Sequence, residues 1–310
     1  MTKPVLTIGI TYHNERELLT SCLKSILPQL NSSVEVLIYD DASDALAKEY
    51  VPAHPQIRIL RGDKNIGPAK ARNKLLAEAN GEYVHFHDSD DWFAQNWLEK
   101  VSAYFGKTDA IFTEVTSHRE GKLYLEKVME VGTLCREKDL LKFAIESFIL
   151  VPSGTYKKAL LQKIGGYRED LWQSEDWDFH VRLALANPSY IVMEEPLVYI
   201  SVRRESRSQN VQETAKDTLK AIRLLKEKVP SQHLRYLADK AAKMGSLLFQ
   251  LNEKAEARKA FDLSHSLGPS SFFWQRSSYQ CIAKLLGQEW AEKVGLLFRN
   301  LKTLCAKKHS

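Results

Sequence analysis

Short runs of apolar, β-branched residues alternate along the first half of the chain with longer runs whose apolar positions recur every three to four residues. Residues 5–11 form the first short run, which reads as a buried strand. Asn14 with Glu17 three residues later is a capping-box signature. It predicts a helix over 15–27, with Leu18, Leu19, Cys22, Leu23 and Ile26 on one face and Pro28 as its stop. The alternation then repeats. Strands are predicted over 34–39, 57–60, 83–87 and 110–115, and helices over 44–50, 68–79 and 94–105. Pro68 at a first helical position and Asn80–Gly81 at a C-terminal cap bracket the helix over 68–79. Ser174 stands where it would cap a further helix running to 186.

This alternation implies right-handed crossovers and a mostly parallel sheet with helices on both faces, an α/β fold. From residue 211 the pattern turns helical. Helices are expected over 218–228, 236–251, 253–267 and 272–286, and the closing stretch 290–308 mixes apolar and basic residues. The reading is an α/β domain over 1–210 and a basic α-helical region over 211–310.

Composition narrows the class. The 310 residues are 44% hydrophobic and 27% charged, which excludes a disordered chain, a collagen-like fibre and a disulfide scaffold. Charge divides unevenly. Residues 211–310 hold 18 basic and 9 acidic side chains, whereas 1–210 hold 26 basic and 30 acidic ones. A basic surface attracts nucleic acid, anionic lipid or phosphorylated substrate, and it is also what a solvated helical face looks like. Cys22, Cys135, Cys281 and Cys305 form no CxxC pair, which fits reduced thiols in a cytosol. No run is long enough for a membrane-spanning helix, and the opening residues lead straight into a strand, so no secretory leader is expected.

Ligands of such sheets bind beyond the carboxyl ends of the strands. Thr11 to Asn14 follow the first strand, Asp40 and Asp41 the second, and Asp88, Ser89, Asp90 and Asp91 the fourth. Five carboxylates on one sheet edge repel one another, and a hard divalent cation with a diphosphate relieves that repulsion. Each run also has a structural reading: Asp40, Asp41 and Asp44 as helix caps, Asp88 to Asp91 as a turn. The GxGxxG and GxxxxGK[ST] phosphate loops are absent.

In order along the chain come Thr11-Tyr-His-Asn14, Tyr39-Asp-Asp-Ala-Ser43, Asn65-Ile-Gly67 running into Ala71-Arg72-Asn73, Gly81-Glu-Tyr83, His87-Asp-Ser-Asp-Asp91 and Ser174-Glu-Asp-Trp177. With these motifs the chain resembles the family 2 glycosyltransferases of GT-A fold. The resemblance implies that Thr11, His13 and Asp41 bind the base and ribose of a nucleotide, His13 standing where the family often has Tyr. It places Arg72 near the base or diphosphate, Asp88 on the sugar nucleotide and Asp90 on Mn2+ or Mg2+. Asp176 matches the catalytic base, with Glu175 and Trp177 beside it at the substrate, and Trp172 is a second aromatic candidate for a sugar ring. Arg204, within the arginine-bearing run 201–209, occupies the place of a segment that closes on the diphosphate.

The implied activity is inverting transfer of one hexosyl unit from a nucleoside diphosphate sugar, UDP favoured, to a saccharide or lipid-linked saccharide. The setting is bacterial surface polysaccharide or glycolipid synthesis. The QxxRW signature of processive synthases is missing, which favours single-sugar addition. A cytoplasmic protein is expected, with the basic closing stretch as a contact to the inner membrane face and no nucleic-acid partner. A nucleotidyltransferase and an inactive binding module are the competing readings.

Overall fold

The computed structural model describes residues 3–119, 122–127, 129, 131–201 and 210–268. The chain divides into two compact units, Met1–Gln209 and Asn210–Ser310.

The first unit opens with β1 (Leu6–Tyr12), α1 (Arg16–Ile26), β2 (Val34–Asp40), β3 (Ile57–Arg61), α2 (Pro68–Glu78) and β4 (Tyr83–Asp88). These four strands run parallel in the order β3-β2-β1-β4. β1 is buried along nearly its whole length because helices cover both faces. On one face Ile8 and Ile10 join Leu19, Cys22, Leu23 and Ile26 of α1 in the main apolar cluster. On the other, Leu75 of α2 comes so close to Gly9 that a Cβ there would sit 3.3 Å from the leucine Cβ.

The second part is mixed. After β5 (Trp92–Phe93) and α3 (Trp97–Ser102) come β6 (Ala110–Arg119), β7 (Lys122–Lys127), α4 (Val131–Glu137) and α5 (Leu140–Glu146). β8 (Gly154–Lys157), α6 (Lys158–Ile164), α7 (Glu175–Leu185) and β9 (Tyr190–Ser201) complete the unit. β8 lies antiparallel between β4 and β6, β6 pairs parallel with β9, and β5 and β7 add antiparallel pairs. The parallel character expected of the sheet therefore holds for its first four strands and for the β6–β9 pair.

Three local expectations fail, two through the bonds of a side chain and one through strand pairing. Asn14 does not cap α1. It adopts a left-handed φ of 58°, and its Oδ1 accepts the N–H groups of Asp44 and Ala45 at 2.8 and 3.2 Å, so Glu15 takes the cap position without a capping bond, its carboxylate accepting instead from Ser89 Oγ at 2.8 Å. Residues 44–50 form only a 3-10 turn over Ala47–Glu49, because Asp40 captures the N–H groups of Ser43 and Ala47. The helix expected over 94–105 shrinks to α3, since the β5–β9 pairing carries on into Ala94, whose N–H is taken by Leu197 O at 2.9 Å.

In the second unit, α8 (Val211–Leu225) starts earlier than expected because Asn210 caps it through the Glu213 N–H. α9 (Leu234–Gln250) and α10 (Lys254–Leu267) follow, and Ser264 Oγ of α10 donates to Ala238 O of α9 at 2.8 Å. The helix over 272–286 and the basic stretch 290–308 lie outside the described residues. Among the described residues no helix is long and apolar enough to cross a membrane.

The turn into β4 supplies a stability test. A Cβ on Gly81 would lie 2.5 Å from Thr7 N, 2.7 Å from Leu6 C and 2.7 Å from Tyr83 O, all of them backbone atoms. Gly81→Ala is expected to destabilise the protein by about 2–4 kcal/mol, because backbone of a central strand must move. The midpoint of urea unfolding checks it.

Candidate active site

Strand register assembles one edge of the sheet. Thr11 stands opposite Tyr39 on one side and Asp88 on the other, and Tyr12 opposite Asp40. The carboxyl ends of β2, β1 and β4 are thus level, and the residues following them share one crevice. Thr11 Oγ1 donates to Asp88 Oδ1 at 2.9 Å, directly across the pair.

Asp41 is buried and organises the first side of this edge. Its Oδ1 accepts from Ile66 N at 2.8 Å and its Oδ2 from Gly67 N at 2.9 Å, which fixes the loop entering α2. Its backbone carbonyl accepts from His13 Nδ1 at 2.9 Å, while Asn65 Nδ2 donates to His13 Nε2 at 3.2 Å. A carbonyl only accepts, so the proton sits on Nδ1 and the ring orientation is set. Each Asp41 oxygen retains a second lone pair for a ligand N–H or hydroxyl.

Arg72, on α2, is buried at the centre. Nη2 meets Asp88 Oδ1 at 2.8 Å, Nη1 meets Glu175 Oε1 at 3.1 Å, and the guanidinium carbon lies 5.3 Å from the centroid of the Tyr167 ring. Burial alone lowers an arginine pKa, but Asp88, Tyr167 and Glu175 outweigh it and hold the group firmly charged. Burial likewise raises Asp88, yet Arg72 and the Thr11 hydroxyl bring its carboxyl below the ordinary range. The Glu175 carboxylate is buried, with Oε1 accepting from Arg72 Nη1 at 3.1 Å.

The turn after β4 carries the negative charge. Asp88 and Asp90 are half-buried, whereas Asp91 is buried and accepts from Ser201 N at 3.1 Å. Burial, then Asp90 and Asp88, pushes the Asp91 carboxyl well above its usual range. Among the described residues no three His, Cys, Asp or Glu side chains converge into a ready cation cage. Asp88 keeps its second carboxylate oxygen out of the Thr11–Arg72 network. One or two carboxylates on a half-buried turn fit a hard cation whose shell substrate phosphates and water complete, which is how Mg2+ and Mn2+ are commonly held.

α7 brings the last acid. Asp176 is half-buried in its first turn, and its Oδ1 accepts from Trp177 N at 2.7 Å. The positive end of the helix dipole lies beneath that carboxylate. Ser174 occupies the expected cap position but does not cap; its φ is 56°, a left-handed conformation uncommon outside glycine. Behind Asp176, His180 donates from Nδ1 to the Asp176 carbonyl at 2.7 Å and takes the Tyr156 hydroxyl on Nε2 at 2.8 Å. Burial pushes the His180 pKa down to about 3.

Thr11, Asp88, Arg72 and Glu175 therefore form one hydrogen-bonded chain, to which Asp41 is joined through the Gly67 start of α2 and Asp176 through its neighbour Glu175. Trp177 is a correction. It is 0% exposed, with its Nε1 donating to Ile145 O at 3.1 Å, and takes no part in a substrate surface. Its spacing with Val181 and Ala184, both buried on the same helix, was the signal for that. Trp172 is the aromatic that faces solvent. Arg204 lies outside the described residues. Asn65 and Tyr167 belong to the site and were not among the expected residues. Tyr167 follows two glycines of positive φ, Gly165 and Gly166, that turn the chain toward α7.

Comparison with known proteins gives concordant results. The profile of Glycosyl transferase family 2 matches residues 7–165. An uncharacterized glycosyltransferase of Haemophilus influenzae is 29% identical over 231 residues, spanning 72% of this chain and 76% of its own. The teichoic acid poly(glycerol phosphate) polymerase of Staphylococcus epidermidis is 33% identical over 120 residues, 36% of this chain and 16% of its own. Among solved structures, S. aureus TarS 1-349 in complex with UDP-GlcNAc superposes with a TM-score of 0.73 at 18% identity, covering 95% of this chain and 91% of that one. The mannosyltransferase PcManGT from Pyrobaculum calidifontis, in complex with GDP-Man and Mn2+, superposes with a TM-score of 0.61 at 16% identity, over 97% and 88%.

Two outcomes are expected of the network. Arg72→Met leaves Glu175 and Asp88 without their shared cation and costs roughly 3 kcal/mol or more of stability, and Arg72→Lys restores only part because an ammonium lacks the two-pronged fork. Urea unfolding measures both. The His180 pKa lies below its ordinary value of 6.5, so between pH 6.5 and about 3 the unfolded chain binds a proton that the folded chain refuses. Stability from this group is complete above pH 6.5 and falls as pH drops through that window. His180→Gln is expected to flatten the acid limb of a stability-against-pH curve by up to one proton, with carboxylate contributions left in place.

Proposed function

The chain belongs to glycosyl transferase family 2 and has the GT-A fold, and from that premise we propose that its sheet edge transfers one hexosyl unit from a nucleoside diphosphate sugar to an acceptor hydroxyl with inversion. The carrying observation is the Thr11–Asp88–Arg72–Glu175 chain, which fixes the acidic turn after β4 against the residue preceding Asp176.

In this reading Asp41, Thr11 and His13 bind the nucleoside. Asp41 accepts from a base N–H, which favours uracil, and the ordered His13 ring flanks it. Asp90 would hold Mg2+ or Mn2+, with Asp88 beside it on the sugar nucleotide. Such an ion, when bound, neutralises charge on a departing diphosphate as a Lewis acid. Arg72 keeps Asp88 ionised and in place. Asp176 takes the proton from the acceptor hydroxyl as that oxygen bonds to the anomeric carbon and the carbon–oxygen bond to the diphosphate breaks. A single displacement from the side opposite the leaving group inverts the configuration. UDP-GlcNAc bound to TarS and GDP-Man with Mn2+ bound to PcManGT support a sugar-nucleotide donor and a divalent cation here. The teichoic acid polymerase among the relatives supports an acceptor belonging to surface polysaccharide.

The test is nucleotide release from a panel of UDP- and GDP-sugars with Mn2+. Free nucleoside diphosphate is the expected product, and pyrophosphate would indicate a nucleotidyltransferase. Asp176→Asn is expected to lower kcat by about 10²–10⁴-fold with donor KM nearly constant. Asp90→Ala and chelation of the cation should each abolish turnover. Full activity in Asp176→Asn together with Asp90→Ala would end the assignment.

A further inference from the structure

Tyr167 is buried, and its hydroxyl makes no hydrogen bond among the described residues. A buried hydroxyl without a partner has given up its bonds to water and gained none in return. Its placement is nonetheless tightly fixed. The Asn73 side chain on α2 holds both backbone groups of Tyr167: Oδ1 accepts from Tyr167 N at 2.8 Å, and Nδ2 donates to Tyr167 O at 2.9 Å. The ring stacks on Phe179 with 4.2 Å between centroids and 6° between planes. It meets the Phe86 ring edge-on at 5.3 Å and has the Arg72 guanidinium over it. Phe179 lies three residues after Asp176 on α7, and residues three apart share a helix face. The phenol therefore lies along the face of α7 that carries Asp176.

The surrounding groups decide what that hydroxyl can bond. Arg72 only donates. The Tyr156 hydroxyl proton is committed to His180 Nε2 at 2.8 Å, because His180 Nδ1 donates to the Asp176 carbonyl. Carboxylates remain as acceptors. Burial pushes the Tyr167 pKa up, and Asp176, Asp88 and Glu175 push it the same way, Asp176 the most of the three, against the opposing pull of Arg72. The phenol thus keeps its proton and can serve as a donor. Asp88 and Glu175 already accept from Arg72, whereas Asp176 Oδ1 is turned back onto Trp177 N of its own helix at 2.7 Å.

We propose that Tyr167 is a positioning residue for transfer: as the attacking hydroxyl enters, the Tyr167 O–H donates to the Asp176 carboxylate and holds it toward the proton it is to take. This rests on the transfer reading, with Asp176 as base. Tyr167 keeps its own proton throughout, and the acceptor proton goes to Asp176. A donor unmet in the resting protein then forms its bond only along the reaction, where a hydrogen bond raises kcat more than it lowers KM.

The test uses the full chain with Mn2+ and follows nucleoside diphosphate release from the sugar nucleotide that it turns over fastest. Tyr167→Phe removes one oxygen and leaves the ring stack in place. Its urea midpoint should equal or exceed that of wild type, because an unpaired buried hydroxyl is lost. Its kcat should fall at least about five-fold, as for one hydrogen bond to a charged group, with donor KM nearly constant. The acid limb of kcat should move to higher pH, because a carboxylate that loses a donor is protonated more readily. In an Asp176→Ala background, the same change should cost almost nothing further, since the two groups act as a unit. A smaller fall in kcat, an equal fall in the Asp176→Ala background, a donor KM that rises as much as kcat falls, an unmoved acid limb, or a urea midpoint that drops with kcat would each overturn the proposal. Full activity in Asp176→Ala, or a wild type that releases nucleotide from no donor, would instead end the transfer reading itself and the positioning role with it.

Discussion

A buried guanidinium between two carboxylates sets the geometry on which the site depends. Taking Arg72 out of water costs several kcal/mol, and only well-formed partners offset that. Asp88 and Glu175 do so at 2.8 and 3.1 Å, with the Tyr167 ring against the flat face of the cation. The three charged groups come from α2, β4 and α7, which are consecutive neither in the chain nor in the sheet. None can shift alone without leaving a charge unpaired in a low-dielectric interior. Because Asp88 precedes the acidic turn and Glu175 precedes Asp176, the one network sets the position of both acids.

The parallel strands supply the other half of the constraint. A one-residue slip of β4 against β1 would turn Asp88 to the opposite face and break its bond to Thr11. Burial of β1 on both faces forbids that slip, since Ile8 and Ile10 pack against α1 while Gly9 admits Leu75 of α2. The core thus holds a register, and the register determines which polar residues meet at the carboxyl edge. The antiparallel β8 and the long β6–β9 pair extend the sheet away from this edge and carry the segments that lead to α5 and α7.

Much of this was legible in the chain. Apolar runs of the right length located β1 to β4, and position after a strand was enough to gather Asp41, Asp88 and Asp90 on one edge, because topology decides that. What stayed hidden depended on distant partners. Asn14 followed by Glu17 satisfies a local capping rule, yet the Asn14 oxygen is spent on backbone N–H groups 30 and 31 residues away. Trp172 and Trp177 look alike beside Glu175 and Asp176. The helical phase, with Trp177 in line with Val181 and Ala184, assigns Trp177 to the core, whereas Trp172 precedes the helix and no pattern in the chain marks it as exposed. Tyr167 carries no motif at all, and its role follows from where two glycines turn the chain.

Backbone strain gathers at the same edge, and its distribution bears on how the site works. Of the six non-glycine residues with positive φ among the described residues, Asn14, Ala42 and Ser174 lie in the loops after β1, after β2 and before α7. Such conformations cost of order 1 kcal/mol each and persist only where surrounding bonds hold them. Asn14 is held by two backbone donors, Ala42 sits between Asp40 and Ser43 within the bonds that Asp40 collects, and Ser174 is followed at once by the Glu175–Arg72 pair. Folding has therefore already met the cost of placing these groups, and a substrate need not meet it again on binding. Preorganisation of this kind is what lets fixed dipoles and charges favour a transition state over a ground state. Asp41, Arg72 and Asp88 thus stand held in the crevice before any ligand arrives.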